Sequence, residues 1–449
     1  MAGESGGPAQ LLCGLLLLLA TAAALAGAAI VDERPPTTAA PAGDLGAEPG
    51  AIAELGAELT PEVARRVEEL RGVEFDEVPL PRVVDAAFLN DLNETEFRRR
   101  EGDPVEALAD DEAVARILGL LGTGEDLLGF VEGAGELAAA AWDTRSDDLY
   151  LVADATTTPA LIEFFLAHEL THALEDERFG LPDPGSDDAD RALARTALVE
   201  GTATALMSRY AEVHLSAFAL AVSALELDPG TTGFPGYAVE QLEWAYLGGS
   251  RFVERLYRLG GGWGLIDNAL AHRPPASTAQ VLHPLLYLRD QRPVEVEVDA
   301  GPLRRAGWEL EDSGTVGELA TAQLLALGAP RPIAERAAAG WSGDRYELWS
   351  RDVPAVECAH PCREDLALVI GWRWADAAEA TEFAGTVAGY LEEGLGGRRS
   401  DRGAWALDGG WAALGVAGDA AMLAFAPGER LAAALAVTGA RRASSGSGQ

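Results

Sequence analysis

The chain contains no lysine. All 34 basic residues are arginine, set against 72 carboxylates, for a formal net charge of −38. So acidic a surface repels nucleic acid and anionic lipid, which excludes both as partners held by charge. It suits a protein that stays soluble outside the cell at high salt. The all-arginine usage reflects genome composition more than chemistry. Cysteine is scarce too, at positions 13, 358 and 362. Cys13 lies within an apolar run, which leaves Cys358 and Cys362. In an oxidising compartment these two form a local disulfide or remain free thiols; with His360 they make an incomplete metal set.

Long apolar runs are also missing, with one exception. Leu11–Ile30 alone is apolar enough to cross a bilayer. Its leucines give way to small residues, and Ala26-Gly27-Ala28 resembles a signal-peptidase site, although no Lys or Arg precedes the run. Residues 1–30 are therefore read as a signal peptide or, uncleaved, as an N-terminal membrane anchor. Either way the remainder is extracytoplasmic, secreted or tethered at the cell surface. The glycine clusters Gly248-Gly249 and Gly260–Gly262 are not phosphate loops, since no lysine follows them, and no internal repeat is present.

A length of 449 residues with 48% hydrophobic content allows two or three globular domains. Residues 31–59, rich in Pro, Ala, Gly, Thr and acids, read as a flexible linker. Residues 60–310 form the main domain, opened by a helix at Thr60-Pro61-Glu62, with strand character from Val73 to Val84 and at Arg289–Ala300. Helices are expected at Tyr237–Leu247 and Arg251–Leu259, parted by Gly248-Gly249. Residues 311–440 alternate strands and helices as a smaller α+β accessory domain, and 441–449 read as a disordered tail.

Of the six histidines, two stand in His168-Glu-Leu-Thr-His172. On a helix, residues four apart leave the same face one turn apart, so both rings can reach one ion. Glu169, one step round, can hold a water without being a ligand. Ile162, Phe165, Leu166, Leu170 and Leu174 give the segment a helical apolar period. Thr158 and Pro159 mark its start, Gly180 and Pro182 its end. A catalytic zinc needs a third protein ligand. Glu200, 28 residues after His172 in an apolar setting, is the candidate, on a return helix spanning about Arg191 to His214. Gly201 next to it permits close approach of the motif and return helices. The hairpin of Leu137–Trp142 and Leu149–Val152, just ahead of the motif, offers either an edge for an extended peptide or an ordinary turn of sheet.

H-E-x-x-H followed by a glutamate on a later helix resembles the gluzincin zinc peptidases. More closely, the chain is similar to a poorly characterised family of exported proteins of haloarchaea and some bacteria assigned as zinc peptidases. The motifs that carry the likeness are His168-Glu-Leu-Thr-His172-Ala-Leu-Glu-Asp176, Glu200-Gly201 and Ser277-Thr-Ala-Gln-Val-Leu-His283-Pro284. Ala279 stands where that family carries Glu. Gly343-Asp-Arg-Tyr346 and Trp372-Arg-Trp-Ala-Asp376 recur there as well. The resemblance implies a gluzincin-like α+β fold, a small sheet packed on a helical bundle that carries the motif. It also implies Zn2+ held by His168, His172 and Glu200, Glu169 as general base, and a peptide or protein substrate. His283 fits either of two roles, an oxyanion donor or a histidine pinning its proline-rich loop. Tyr210 and Tyr246 are lesser candidates for the same donor, and Asp176 for orienting His172. From a different class, the alternative is a surface binding protein whose metal site is structural or inactive.

Overall fold

The helix Pro159–Phe179 carries apolar residues on every side, and every residue from Phe164 to Glu175 is buried. A helix apolar all round can lie only at the centre of its layer. In this computed structural model, which describes residues 20–21, 49–153, 158–182, 188–215, 234–351 and 365–445, it is the central helix of the amino-terminal half. Thr158 caps it by accepting from the Leu161 N–H, and Gly180, at φ 69°, ends it. Helix Pro49–Arg71, the return helix Ala189–His214 and a small sheet pack around it. Burying residues such as Phe165 and Leu166 contributes about 2 kcal/mol each.

The small sheet has the order β1-β3-β4-β2, with β1 at Ala20–Thr21, β2 at Pro81–Val84, β3 at Ala138–Asp143 and β4 at Asp148–Val152. β3 and β4 form the expected antiparallel hairpin, and β2 runs parallel to β4. The strand expected from Val73 is shorter, beginning at Pro81, where proline is tolerated as the first residue of an edge strand.

Two boundaries read from the sequence are corrected. The linker expected over 31–59 ends earlier, because the first helix begins at Pro49 and buries Ile52 and Gly56 in the core. Pro61 lies inside this helix instead of near its start. Ala57, one turn before it, is exposed, so water can take the carbonyl that proline leaves unbonded. The tail expected at 441–449 is helical as far as Ser445, an alanine- and arginine-rich continuation of helix Glu429–Ser445. Leu11–Ile30, apart from Ala20–Thr21, lies outside the described residues, as do Cys358, His360 and Cys362. Among the described residues no helix is long and apolar enough to cross a membrane.

The helix Gly236–Gly260, next to the return helix and third in line counting from the motif helix, runs unbroken through Gly248-Gly249, where a break was expected. A Cβ on Gly249 would stand 1.9 Å from the Ala197 carbonyl oxygen, and one on Gly201 would stand 2.2 Å from the Gly249 carbonyl carbon. These glycines bring two helix backbones into contact, which outweighs their poor helix propensity. Gly201 thus serves the return and third helices, not the return and motif helices as expected.

The carboxy-terminal half is an antiparallel seven-stranded sheet, ordered β5-β6-β7-β11-β10-β9-β8. Its strands are β5 Glu309–Gly314, β6 Trp341–Ser350, β7 Leu366–Trp374, β8 Arg398–Arg399, β9 Trp405–Leu407, β10 Gly410–Ala417 and β11 Ala420–Ala426. Helix Ala377–Gly389 packs through Phe383 on Trp372 and Trp374, and helix Glu429–Ser445 packs through Leu435 with Met422 and Ala424. Val114, Ile117 and Leu118 of the amino-terminal half enter the same core as Trp372, so the halves share apolar surface. The whole is a mixed α+β fold. The strand expected at Arg289–Ala300 forms no ladder. Val296 and Val298 are buried and Glu295 and Glu297 exposed, as the alternation requires. Among the described residues only the Val294 N–H reaches a strand, bonding Ser342 O at 2.8 Å.

Candidate metal centre

The motif helix presents His168 and His172 from one face, and the return helix brings Glu200 against them. The Nε2 atoms of the two rings are 3.0 Å apart, and Glu200 Oε2 lies 3.2 Å from His168 Nε2 and 3.4 Å from His172 Nε2. Ligand atoms around one tetrahedral zinc stand about 3.4 Å apart. All three residues are buried, and together they are a group able to hold a metal ion. A ring that gives its Nε2 to an ion keeps its proton on Nδ1, and among the described residues neither Nδ1 has a partner.

The electrostatics fit the same reading. Burial holds His168 down to about 4. Burial opposes charge on His172 as well, but the Glu200 carboxylate overcomes it and raises that ring to about 9. Burial would raise Glu200, yet His172 and His168 keep it below its ordinary value. A proton on His172 therefore stands where a cation is wanted. Glu169 is buried next to them, bonded by the Trp142 main chain of β3, with Oε1 lacking a partner. Burial pushes its carboxyl up to about 8, a value matched to taking and returning a proton near neutrality.

Of the other candidates, Tyr246 comes to the site. The glycine contact sets its helix close enough for its hydroxyl to bond Glu200, and its ring centroid lies 5.8 Å from that of His168. Tyr210 points elsewhere, bonded to Glu163 and, at 3.0 Å, to Arg66. Asp176 does not orient His172: it accepts from Trp142 Nε1 at 3.1 Å and from the Leu181 N–H at 3.2 Å, tying the hairpin to the helix end. His283 is half-exposed and pairs with Glu318 Oε1 at 2.6 Å, which raises its pKa. Its short helix docks through Thr278 on Asp190, in the first turn of the return helix, about 15 Å along the axis from Glu200. The contacts of His283 fit the pinning role, and the cluster is assembled without it.

Sequence reasoning missed Glu175, Arg71 and Asp267. Glu175, one turn past His172, is fully buried and accepts from Arg71 Nε at 2.7 Å; Arg71 Nη2 reaches Asp267 at 2.7 Å, with its guanidinium over Trp263. The available signal was an acid three positions after a ligand on the buried face of an apolar helix.

Residues 304–436 match DUF8575, a domain of unknown function, which covers the whole seven-stranded sheet and none of the metal cluster. No curated protein and no solved structure matches the chain.

Proposed function

We propose that the chain is an exported zinc-dependent metallopeptidase that hydrolyses peptide bonds. The observation that carries this reading is the convergence of two imidazoles and a carboxylate at ligand spacing beside a buried, half-partnered Glu169. Zinc, with its preference for nitrogen and oxygen donors in a four-coordinate site, fits the set; once bound it would polarise a carbonyl and ease ionisation of water. His168, His172 and Glu200 would hold it, and Tyr246 fixes the Glu200 carboxylate. Glu169 takes a proton from the attacking water and delivers it to the leaving amine. The leader-like segment Leu11–Ile30 supports export, as signal peptide or membrane tether, and the −38 charge argues against nucleic acid as a partner.

One observation favours the second reading, a surface binding protein with a structural ion: none of the three ligand candidates is more than 2% exposed. Zinc content and hydrolysis of a mixed peptide library, with and without Glu169→Gln, separate the two. A peptidase loses about 10²–10⁴-fold in rate with its zinc retained. A zinc-loaded wild type as inert as the variant would leave the binding role.

A further inference from the structure

A cavity of about 930 Å³ lies between the start of the return helix and the seven-stranded sheet, with no residue of the metal cluster in its lining. Every residue from Pro293 to Asp299 lines it. In an extended chain alternate side chains point in opposite directions, so seven consecutive lining residues mean that the backbone itself faces the space. Val296 and Val298 are turned into the protein and Glu295 and Glu297 outward.

This segment is anchored at both ends and unbonded between. At one end the Val294 N–H bonds Ser342 O, and Gly343 makes room for it, since a Cβ there would stand 2.2 Å from Val294 O. At the other end Asp299 accepts from the Gly301 N–H at 3.0 Å, fixing the turn into the next helix. From Glu295 to Val298 no main-chain N–H or C=O has a hydrogen-bond partner among the described residues. A row of unpaired main-chain groups beside open space is a template for one more strand. Across the cavity, Arg304 approaches Glu347 only to 4.0 Å, beyond hydrogen-bond reach, so its guanidinium has donors to offer carbonyl or carboxylate oxygens.

We infer that Glu295–Val298 is a docking rail for an extended polypeptide, which adds to it as a β-strand. The inference deepens the peptidase reading by giving the substrate class as unfolded or extended chains, held at a site separate from the metal. The cavity lies within the volume range of ligand sites, and the four-residue rail is about 13 Å long.

The test uses the full chain carrying Glu169→Gln, so that the probe survives, and fluorescence anisotropy of a labelled unstructured peptide of about twelve residues rich in Thr and Val. Saturable binding is expected, unchanged by a zinc chelator. The same peptide N-methylated at every residue, unable to donate main-chain bonds from either edge, should bind at least about tenfold more weakly. Adding Glu297→Pro, which deletes one donor that makes no internal bond, should weaken binding similarly, whereas Glu297→Ala should not. Absence of binding, equal binding of the N-methylated peptide, or loss of binding on chelation overturns the rail. If the proline variant fails to fold, the peptide pair decides. The chelator and Glu169→Gln make the result independent of whether the metal site is catalytic.

Discussion

Glu169 in the helical half and Asp344 in the sheet half are both buried carboxylates that burial pushes up, to about 8 and about 7. Their surroundings differ. Asp344 accepts from the Val316 N–H at 2.6 Å, the Gly317 N–H at 2.8 Å and Trp341 Nε1 at 2.7 Å. Among the described residues one oxygen of Glu169 has no partner, and neither has Nδ1 of His168 or of His172. A buried polar group whose bonds are filled holds the fold; one left open on the same helix as a ligand-spaced cluster is kept for something that arrives.

Substitutions can break that contrast. Glu200→Ala removes one of the three proposed ligands and should lower zinc affinity by at least about 10³-fold in a competition titration, with the apo fold intact. Glu175→Ala leaves the buried Arg71 with Asp267 as its remaining ion-pair partner and its Nε donor stranded, and should cost about 3 kcal/mol by chemical denaturation. Asp344→Ala strands three donors, which should cost about 3 kcal/mol in the same measurement and leave zinc affinity unchanged. A loss of zinc there would erase the distinction between the halves. The smallest effect sharpens the comparison. His172, raised to about 9, is protonated at neutral pH in the metal-free protein, and zinc binds only neutral imidazole. Affinity should therefore rise about tenfold per pH unit from about pH 6 to 8, with about one proton released, as read by calorimetry in buffers of different ionisation enthalpy.

The sequence made the metal cluster legible because its information is local. Helical spacing sets His168 and His172 on one face, and an isolated acid in an apolar return helix marks Glu200. The hairpin and five of the seven strands of the second sheet, all but Glu309–Gly314 and Arg398–Arg399, were likewise readable from period and turn residues. What escaped depends on which elements meet. Gly248-Gly249 read as a break because glycine weakens helices, but the partner that needs its missing side chain, Ala197, lies some fifty residues earlier. Arg71 and Asp267 are far from Glu175 in the chain, so nothing nearby announces their pairing. His283 sits in a motif-like stretch, yet its partner Glu318 belongs to the other half of the molecule. The start at Pro49 was hidden by a composition common to linkers.

X-ray absorption at the zinc edge on the purified full chain is the most direct measurement. One zinc per chain is expected, with two imidazole nitrogens and carboxylate oxygen at about 2.0–2.2 Å, and the imidazole scattering halved in His172→Ala. A protein purified and titrated with zinc that shows no such shell, or one unaltered by His172→Ala, would contradict the assignment of His168, His172 and Glu200 as its ligands.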